Sequence, residues 1–385
     1  MKQVHFFNRH VDVALDLLNS HTAGKPFAPY LKSFFKEKKK YGGRDRKRIS
    51  NLCYAWFRLG YSIPLDRREQ IIGAYFILHS DRFVHPADVN SKFSEDWDQL
   101  DLKQRLHFMG VDVKDIFPLT GFVDFSDLEQ FLLDQLEVRP TYFRKIHPGA
   151  LNFQEDVDLI ETDGTSIGSY SGQALNTLRT KGHIEIQDRS SQDVMRRLLP
   201  ELQEPIWDCC AASGGKSLYI LDETPREVFA SDVRSSILRS LKERSKRHKS
   251  RLFIGQANVI KVDKVKFRRQ DKTIMVDGDF FQTILVDAPC SGSGTWSRNP
   301  EFKPFLTQQD LDRYVQRQRE IVKNAASFLK VGGKLIYLTC SVYQNENQAQ
   351  LDFFESCGLQ VETTGYHYGH LNQSDSMFYS VLVKK

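Results

Sequence analysis

No stretch of this 385-residue chain approaches the roughly 18 uninterrupted apolar residues that cross a bilayer as a helix. Its opening, "MKQVHFFNRHVDVALDLLNS", scatters charge among apolar positions and lacks a small-residue cleavage site, so it reads as an amphipathic helix and a cytoplasmic chain is expected. Cysteine is sparse: six, at 53, 209, 210, 290, 340 and 357, without the spacing of a disulfide framework. Cys209 and Cys210 are neighbours, and on a strand neighbouring side chains face opposite ways, which discourages a shared metal. His367 and His370 lack the helical spacing of a zinc protease motif and read as a loop. No metal site is expected. A complete phosphate cradle is missing too. "CCAASGGKS" closes as a P-loop closes, in Gly215, Lys216 and Ser217, but the glycine needed five positions earlier is Cys210. That departure counts against a nucleotide hydrolase.

What is present divides into three regions. To about residue 125 there is no good strand run, and helical periodicity marks "VDVALDLLNS", "RDRKRISNLCYAWFRLGY" and "REQIIGAYFILHS". In the second of these, Ile49, Leu52, Cys53 and Trp56 recur at three- and four-residue steps. Residues 126–196 mix short apolar runs with Pro140, Pro148 and several glycines, which suggests a small α/β connector. From 197 to 385 the pattern alternates. Strand-like runs stand at "EPIWDCC", "REVFASD", "RLFIGQA", "QTILVDA", "GGKLIYLT", "LQVETT" and "MFYSVLV", most of them separated by helical stretches. Such alternation predicts a Rossmann-like, doubly wound α/β sheet, mostly parallel, with an antiparallel hairpin closing the edge formed by the last two runs.

In a sheet of this kind ligands sit beyond the carboxyl ends of the strands, where strand order reverses. After the first run comes "AASGG", a turn of small residues that lets a backbone approach a ligand closely. The second run ends at Asp232, about twenty residues past the turn, the position from which a carboxylate commonly takes ribose hydroxyls. The plain alternative is a capping turn and a helix-start aspartate. The fourth and fifth runs end in "VDAPCSGSG" and "LTCS", which place Asp287, Cys290 and Cys340 toward one crevice. Two cysteines at adjacent strand ends are better explained as chemistry than as packing, since a thiolate is a strong nucleophile and positive neighbours favour it. Lys216 and Arg298 are the candidates to supply that field. A nucleoside cofactor, a carboxylate and two thiols suit methylation at carbon 5 of cytosine. One thiolate adds to carbon 6, carbon 5 becomes nucleophilic, and the second thiol assists release.

"DCCAASGGKS", "DAPCSGSGTWSRNPEFK" and "TCSVYQNENQ", in that order, with "GHIEIQDRSSQ" upstream and "DSMFYSVLVKK" at the end, resemble the RsmB/Nol/Sun family of RNA 5-methylcytosine methyltransferases. The stretch "YGGRDRKRISNLCYAWFRLG" is similar to part of that family's NusB-like N-terminal domain. The resemblance implies Cys340 as nucleophile, Cys290 as the thiol that assists product release, and Asp287 as the carboxyl that hydrogen-bonds cytosine. It implies S-adenosylmethionine wrapped by Cys210, Ala211, Ala212, Ser213, Gly214, Gly215 and Lys216, with Asp232 on its ribose. Two departures stand out. Ser213 replaces the usual proline, which should loosen the turn. Gln256, with Asn258 as the other candidate, replaces a carboxylate expected near the adenine.

The partner expected is RNA, ribosomal or transfer, for a monomeric protein with no membrane and no metal. A net charge of +5 fits a polyanion without requiring one. Arg239, Lys242, Lys246 and Lys249 would share one face of a helix, with Ile237, Leu238 and Leu241 turned to the sheet. "KEKKKYGGRDRKR" (36–48) is a denser candidate for RNA contact. The rival reading is a non-catalytic RNA-binding or ribosome-assembly protein on a methyltransferase fold. The intact Asp287, Cys290 and Cys340 set argues against it.

Overall fold

The computed structural model describes residues 2–79, 84–146, 158–162, 165–169, 182–248 and 251–385. They fall into two compact units. One comprises residues 1–120, 124–138 and 295–308; the other comprises 121–123, 139–294 and 309–385.

The first unit is helical, with α1 (Lys2–Ser20), α2 (Phe27–Glu37), α3 (Gly43–Arg58), α4 (Arg67–Leu78) and the shorter α5 (Pro86–Val89), α6 (Leu102–Phe108) and α7 (Leu128–Asp134). α1 buries Phe7, Val11, Ala14, Leu17 and Leu18, one stripe at helical spacing. α3 buries Ile49, Leu52, Cys53 and Trp56, the residues picked out by periodicity. α4 starts on Asp66, whose carboxylate accepts from the N–H groups of Arg68 and Glu69. Residues 295–308 thread into this unit. Arg58 donates to the Ser297 carbonyl at 2.8 Å, Glu301 accepts from Phe27 N at 3.1 Å, and the fully buried Lys303 donates to the Arg58 carbonyl at 2.6 Å. Among the described residues no helix is long and apolar enough to cross a membrane.

The second unit carries two small antiparallel pairs, β1 (Phe143–Lys145) with β4 (Ile184–Ile186) and β2 (Asp158–Thr162) with β3 (Thr165–Ser169). They precede α8 (Arg189–Leu198) and the main sheet. That sheet is built from β5 (Ile206–Asp208), β6 (Val228–Asp232), β7 (Leu252–Gln256), β8 (Lys264–Arg269), β9 (Lys272–Asp277), β10 (Phe281–Asp287), β11 (Leu329–Thr339), β12 (Leu359–His367) and β13 (Met377–Lys384). Their spatial order is β12-β13-β11-β10-β5-β6-β7-β8-β9. The five strands from β11 to β7 run parallel, and both flanks are antiparallel. Helices α9 (Gly215–Glu223), α10 (Ser235–Arg244), α11 (Gln308–Ala326) and α12 (Leu351–Ser356) complete the doubly wound fold.

Alternate strand residues feed two cores. Trp207, Phe229, Phe253, Ile284 and Val286 pack on one face, and Ile206, Val228, Ala230 and Leu285 on the other. This two-sided burial is why the parallel strands read as near-continuous apolar runs. From β5 the chain winds outward to β6 and β7, then returns to β10 on the opposite side of β5. Strand order therefore reverses between β5 and β10, whose last residues are Asp208 and Asp287.

All seven strand runs read from the sequence are present. The hairpin β8–β9 was not among them. His367 closes β12 rather than lying in a loop. α10 stops at Arg244 and is followed by a single tighter turn over Ser245–His248. The basic face proposed for one helix therefore does not continue to Lys246, and Lys249 lies outside the described residues. Leu238 and Leu241 are buried as expected. We keep the division at 125 and 196 as a proposal.

Candidate active site

The turn between β5 and α9 is built on left-handed backbone, with φ of +47° at Ala212 and +89° at Gly214. A Cβ on Gly214 would meet Leu241 Cδ1 at 2.2 Å, whereas one on Gly215 would meet nothing within 4 Å. The turn is thus tight on its core side and open at the start of the helix. Ala211 N donates to the Ser231 carbonyl at 2.9 Å and Ala212 N donates to Asp232 Oδ2 at 3.1 Å, so the turn and the end of β6 form one assembly. Ser213 does not loosen it. Its carbonyl and hydroxyl both accept from Arg244, at 2.7 and 2.8 Å, and these bonds do the pinning a proline ring would do. Cys209 and Cys210 belong to the turn, not to a strand, and their sulfurs lie 4.0 Å apart. The argument from strand alternation therefore does not apply to them. Among the described residues no cluster of three or more His, Cys, Asp or Glu could hold a metal ion.

Two carboxyls flank the turn. Asp208 is buried and accepts from Ser217 Oγ at 2.6 Å, while its Oδ1 has no protein partner. Burial pushes its pKa up to about 7 against the opposing effect of the Ser217 bond. Asp232 has the opposite outcome. Burial works against its charge, but bonds from the Arg234 side chain and from the N–H groups of Arg234 and Ala212 hold it below the usual carboxylate range. The β6–β7 register sets Asp232 beside Gln256. Gln256 donates its amide to the Val233 carbonyl at 3.1 Å, which leaves its oxygen as the acceptor. Asn258 instead accepts from Ile260 N within its own turn. Of the two amides, Gln256 is the one next to Asp232.

Across the switch point, Lys216 on α9 meets Asp287 at the end of β10, with Nζ 2.5 Å from Oδ2. Burial opposes the lysine's charge, but the pair with Asp287 outweighs it and its pKa stands above the ordinary value. Three residues past Asp287, Cys290 Sγ lies 3.3 Å from Cys340 Sγ, just beyond the end of β11. The hydrogen bond with Cys340, then burial, then the charges of Cys340 and Glu346 drive the Cys290 thiol well above its usual range. Cys290 therefore holds its proton more tightly than an ordinary thiol, and either sulfur can be the donor across this contact.

The Cys290 loop crosses β11 at Gly294. Gly294 N donates to the Cys340 carbonyl at 2.8 Å, and a Cβ on Gly294 would fall 2.3 Å from the Ser376 oxygen. Arg298, proposed from the sequence as a second positive group, lies exposed in the 295–308 segment of the helical unit. Sequence reasoning missed Glu346 and Asn347, which are fully buried beside the cysteine loops. Their partners lie up to 55 residues away in the chain, so no local pattern marks them.

Of the basic stretches, α10 keeps Arg239 and Lys242 exposed. Arg244 and Arg247 are taken up by Glu185, and Arg247 also by Asp222. Residues 36–48 span the end of α2 and the start of α3, with Lys36, Lys38, Lys39, Lys40, Arg44, Arg46 and Lys47 exposed. Tyr41 and Phe35 lie under Lys40 and Arg46.

Residues 195–382 match the family model described as 16S rRNA methyltransferase RsmB/F. Over 215 residues the chain is 34% identical to the ribosomal RNA small subunit methyltransferase B of Klebsiella pneumoniae (strain 342), covering 53% of this chain and 48% of that one. It is also 34% identical over 209 residues to the protein of the same name from Proteus mirabilis (strain HI4320), covering 53% and 47%. The chain spans about half the length of these relatives. Among solved structures it is similar to PH0851, with TM-score 0.63 and 17% identity over 100% of this chain and 98% of that one. It is similar too to a methyltransferase homologue from Pyrococcus horikoshii, with TM-score 0.52 and 19% identity over 67% and 90%. These two likenesses concern the fold.

Proposed function

We propose that this chain methylates carbon 5 of a cytosine in RNA, ribosomal or transfer, with Cys340 as nucleophile, a reading supported by the match of residues 195–382 to the RsmB/F methyltransferase model. The observation that carries the reading is the contact of the two thiols, 3.3 Å apart, beyond the strand ends next to the Lys216–Asp287 pair.

The cofactor is S-adenosylmethionine, which supplies an electrophilic methyl group when bound. The residues present fit it. The open Cα of Gly215, the unpartnered Asp208 Oδ1 and the β6-end carboxylate of Asp232 line the turn that would hold it. Cys210, Ala211, Ala212, Ser213, Gly214, Gly215 and Lys216 would wrap the group, Asp232 would take its ribose, and Gln256 would accept from its adenine amino group through Oε1.

In the proposed reaction the Cys340 thiol loses its proton and Sγ bonds to carbon 6 of the base, nitrogen 3 takes up a proton in exchange, and Asp287 hydrogen-bonds the cytosine there. Lys216 fixes the Asp287 carboxyl in place. Carbon 5, now an enamine carbon, is the nucleophile that would take the methyl group the cofactor supplies, the methyl–sulfonium bond breaking as the new bond forms. The largest influence holding the proton on Cys290 is the Cys340 sulfur. Once that sulfur is bonded to carbon the influence is gone, and Cys290 can lose its proton to solvent. The resulting thiolate takes the carbon 5 proton while the carbon 6–sulfur bond breaks, its electrons return to Cys340 and nitrogen 3 gives up its proton. The base must leave any stack to reach the thiols, which favours a loop or an opened helix as target. Exposed cations at 36–48 would contribute phosphate contacts.

Incubation with unmodified total RNA and S-adenosylmethionine carrying a labelled methyl group tests the reading. Label is expected in 5-methylcytidine with wild-type protein and none with Cys340→Ala. Label in another nucleoside, or full activity in Cys340→Ala, would overturn it.

A further inference from the structure

Beneath the two thiols lies a buried polar knot. Glu346 Oε1 accepts from Ser291 N and from Gln318 Nε2, each at 2.9 Å, and Oε2 accepts from Ser291 Oγ and Ser341 Oγ, each at 2.5 Å. Ser291 follows Cys290 directly and Ser341 follows Cys340 directly. One carboxyl group is thus bonded to both cysteine loops at the residue next to each sulfur. Gln318, from α11, also donates to the Pro289 carbonyl at 3.1 Å, on the other side of Cys290. The neighbouring Asn347 brackets Cys340 from both sides. It accepts from Thr339 Oγ1 at 2.6 Å and donates to the Ser341 carbonyl at 2.9 Å.

Two donors on each oxygen are what an acceptor-only group takes, and a buried charge is tolerated when it is satisfied in this way. These bonds oppose the burial that raises the Glu346 pKa above its ordinary value. A glutamine here could turn its oxygen to the two N–H donors and its N–H₂ group to the two serine hydroxyls, which can also accept, so it would keep the bonds; an alanine removes them all. None of these bonds reaches the turn at 209–214 or the exposed cations, so the knot has no part in binding cofactor or phosphates.

We infer that Glu346, seconded by Asn347, is the positioning residue that holds the Cys290 and Cys340 loops at the sulfur–sulfur separation the reaction needs. The inference rests on the proposed methyltransferase reading for its consequence in turnover, but not for its consequence in thiol reactivity. Glu346 is no catalytic group, since it acts only through the loops it joins. Its charge also contributes to the hold on the Cys290 proton, after the Cys340 bond, burial and the charge of Cys340.

The test is site-resolved iodoacetamide labelling of folded protein at fixed pH, read by mass spectrometry, beside steady-state methylation. In Glu346→Ala the Cys290-to-Cys340 labelling ratio is expected to rise about tenfold, since the loops loosen and Cys290 loses a repelling charge. kcat should fall about 100-fold while KM for RNA and for S-adenosylmethionine stay within about threefold, the pattern of lost alignment rather than lost binding. Ser341→Ala removes one donor and keeps the carboxyl, so it serves if Glu346→Ala does not fold. Its expected effect is about a tenfold loss in kcat. Folded variants whose labelling ratio and kcat stay within about twofold of wild type would overturn the inference. Labelling requires no RNA. A ratio that shifts in a protein that methylates nothing would count against the proposed reaction and for the positioning role. Normal methylation with an unmoved ratio would do the reverse.

Discussion

At Gly294 the backbone of the Cys290 loop passes over the end of β11 with no space for a side chain. An added Cβ would meet the Ser376 oxygen at 2.3 Å and the Cys340 oxygen at 3.0 Å, both backbone atoms that cannot swing aside. Gly294→Ala is therefore expected to cost about 1–3 kcal/mol of stability, the range for overpacking a tight site. The displaced Cys340 should depress kcat more than KM. A denaturant titration with methylation kinetics checks both, and unchanged stability would show that the crossing is looser than described. The cysteines and Asp287 were legible in the sequence because strand ends of an alternating pattern converge by rule. The role of glycine in "CSGSG" was not, because the atoms that exclude a Cβ come from 46 and 82 residues further along. Glu346 was hidden for the same reason. Its motif was quoted for a resemblance, but its partners arrive from β10, β11 and α11 only on folding.

At the scale of the element, the β5–α9 turn depends on the helix that follows β6. Arg244, the last residue of α10, donates twice to Ser213 and twice to Glu185 beside β1. Arg244→Ala should leave Glu185 paired with Arg247 but free the turn. The expected result is a rise of about tenfold in KM for S-adenosylmethionine with little change in kcat, as for the loss of one or two net hydrogen bonds. Equilibrium dialysis measures this directly, and unchanged affinity would mean the turn holds itself. The sequence disclosed the departure at Ser213 but predicted the wrong consequence, because the compensating arginine lies 31 residues away. The β8–β9 hairpin was missed for a local reason. In β8 Val265 and Phe267 are buried between exposed Lys264, Lys266 and Arg268, so strand alternation was present but diluted by charge. Its turn uses Gln270 at φ +48°, where a glycine would have signalled it.

For the α/β unit as a whole, pH acts on stability through carboxyls of opposite kind. Asp222 is met by Arg144, Arg247 and His248. Burial works against its charge, yet these partners hold it well below the usual carboxylate range. A depressed acid stabilises above its unfolded value, and that stability is lost as pH falls below the ordinary 3.8. Asp232 acts in the same direction. Asp208, raised by burial to about 7, does the opposite: the folded state holds its proton, so its contribution is full below 3.8 and lost as pH rises to about 7. Hydrogen exchange at the amides of Trp207 and Phe229 should therefore reveal maximal protection on the acid side of neutrality. Asp208→Asn should abolish the decline toward pH 7, and Asp222→Asn should flatten the acid limb while costing about 3 kcal/mol or more at neutral pH from arginines left buried without their anion. A decline that persists in Asp208→Asn would refute the assignment. Helical periodicity before about residue 125 and strand–helix alternation from 197 onward were readable in the sequence. That residues 295–308, sequence neighbours of Cys290, belong to the helical unit was not. Their anchors are single buried contacts such as Lys303 with the Arg58 carbonyl, which leave no periodic trace.

The most direct test of the central claim is to incubate Cys290→Ala with RNA and S-adenosylmethionine, denature, and locate any attached nucleotide by mass spectrometry. The account predicts a covalent complex that survives denaturation, joined at Cys340 to a cytidine methylated at carbon 5, and none in the Cys290→Ala, Cys340→Ala double variant. An adduct at any other residue, or free methylated RNA released at the wild-type rate, would contradict it.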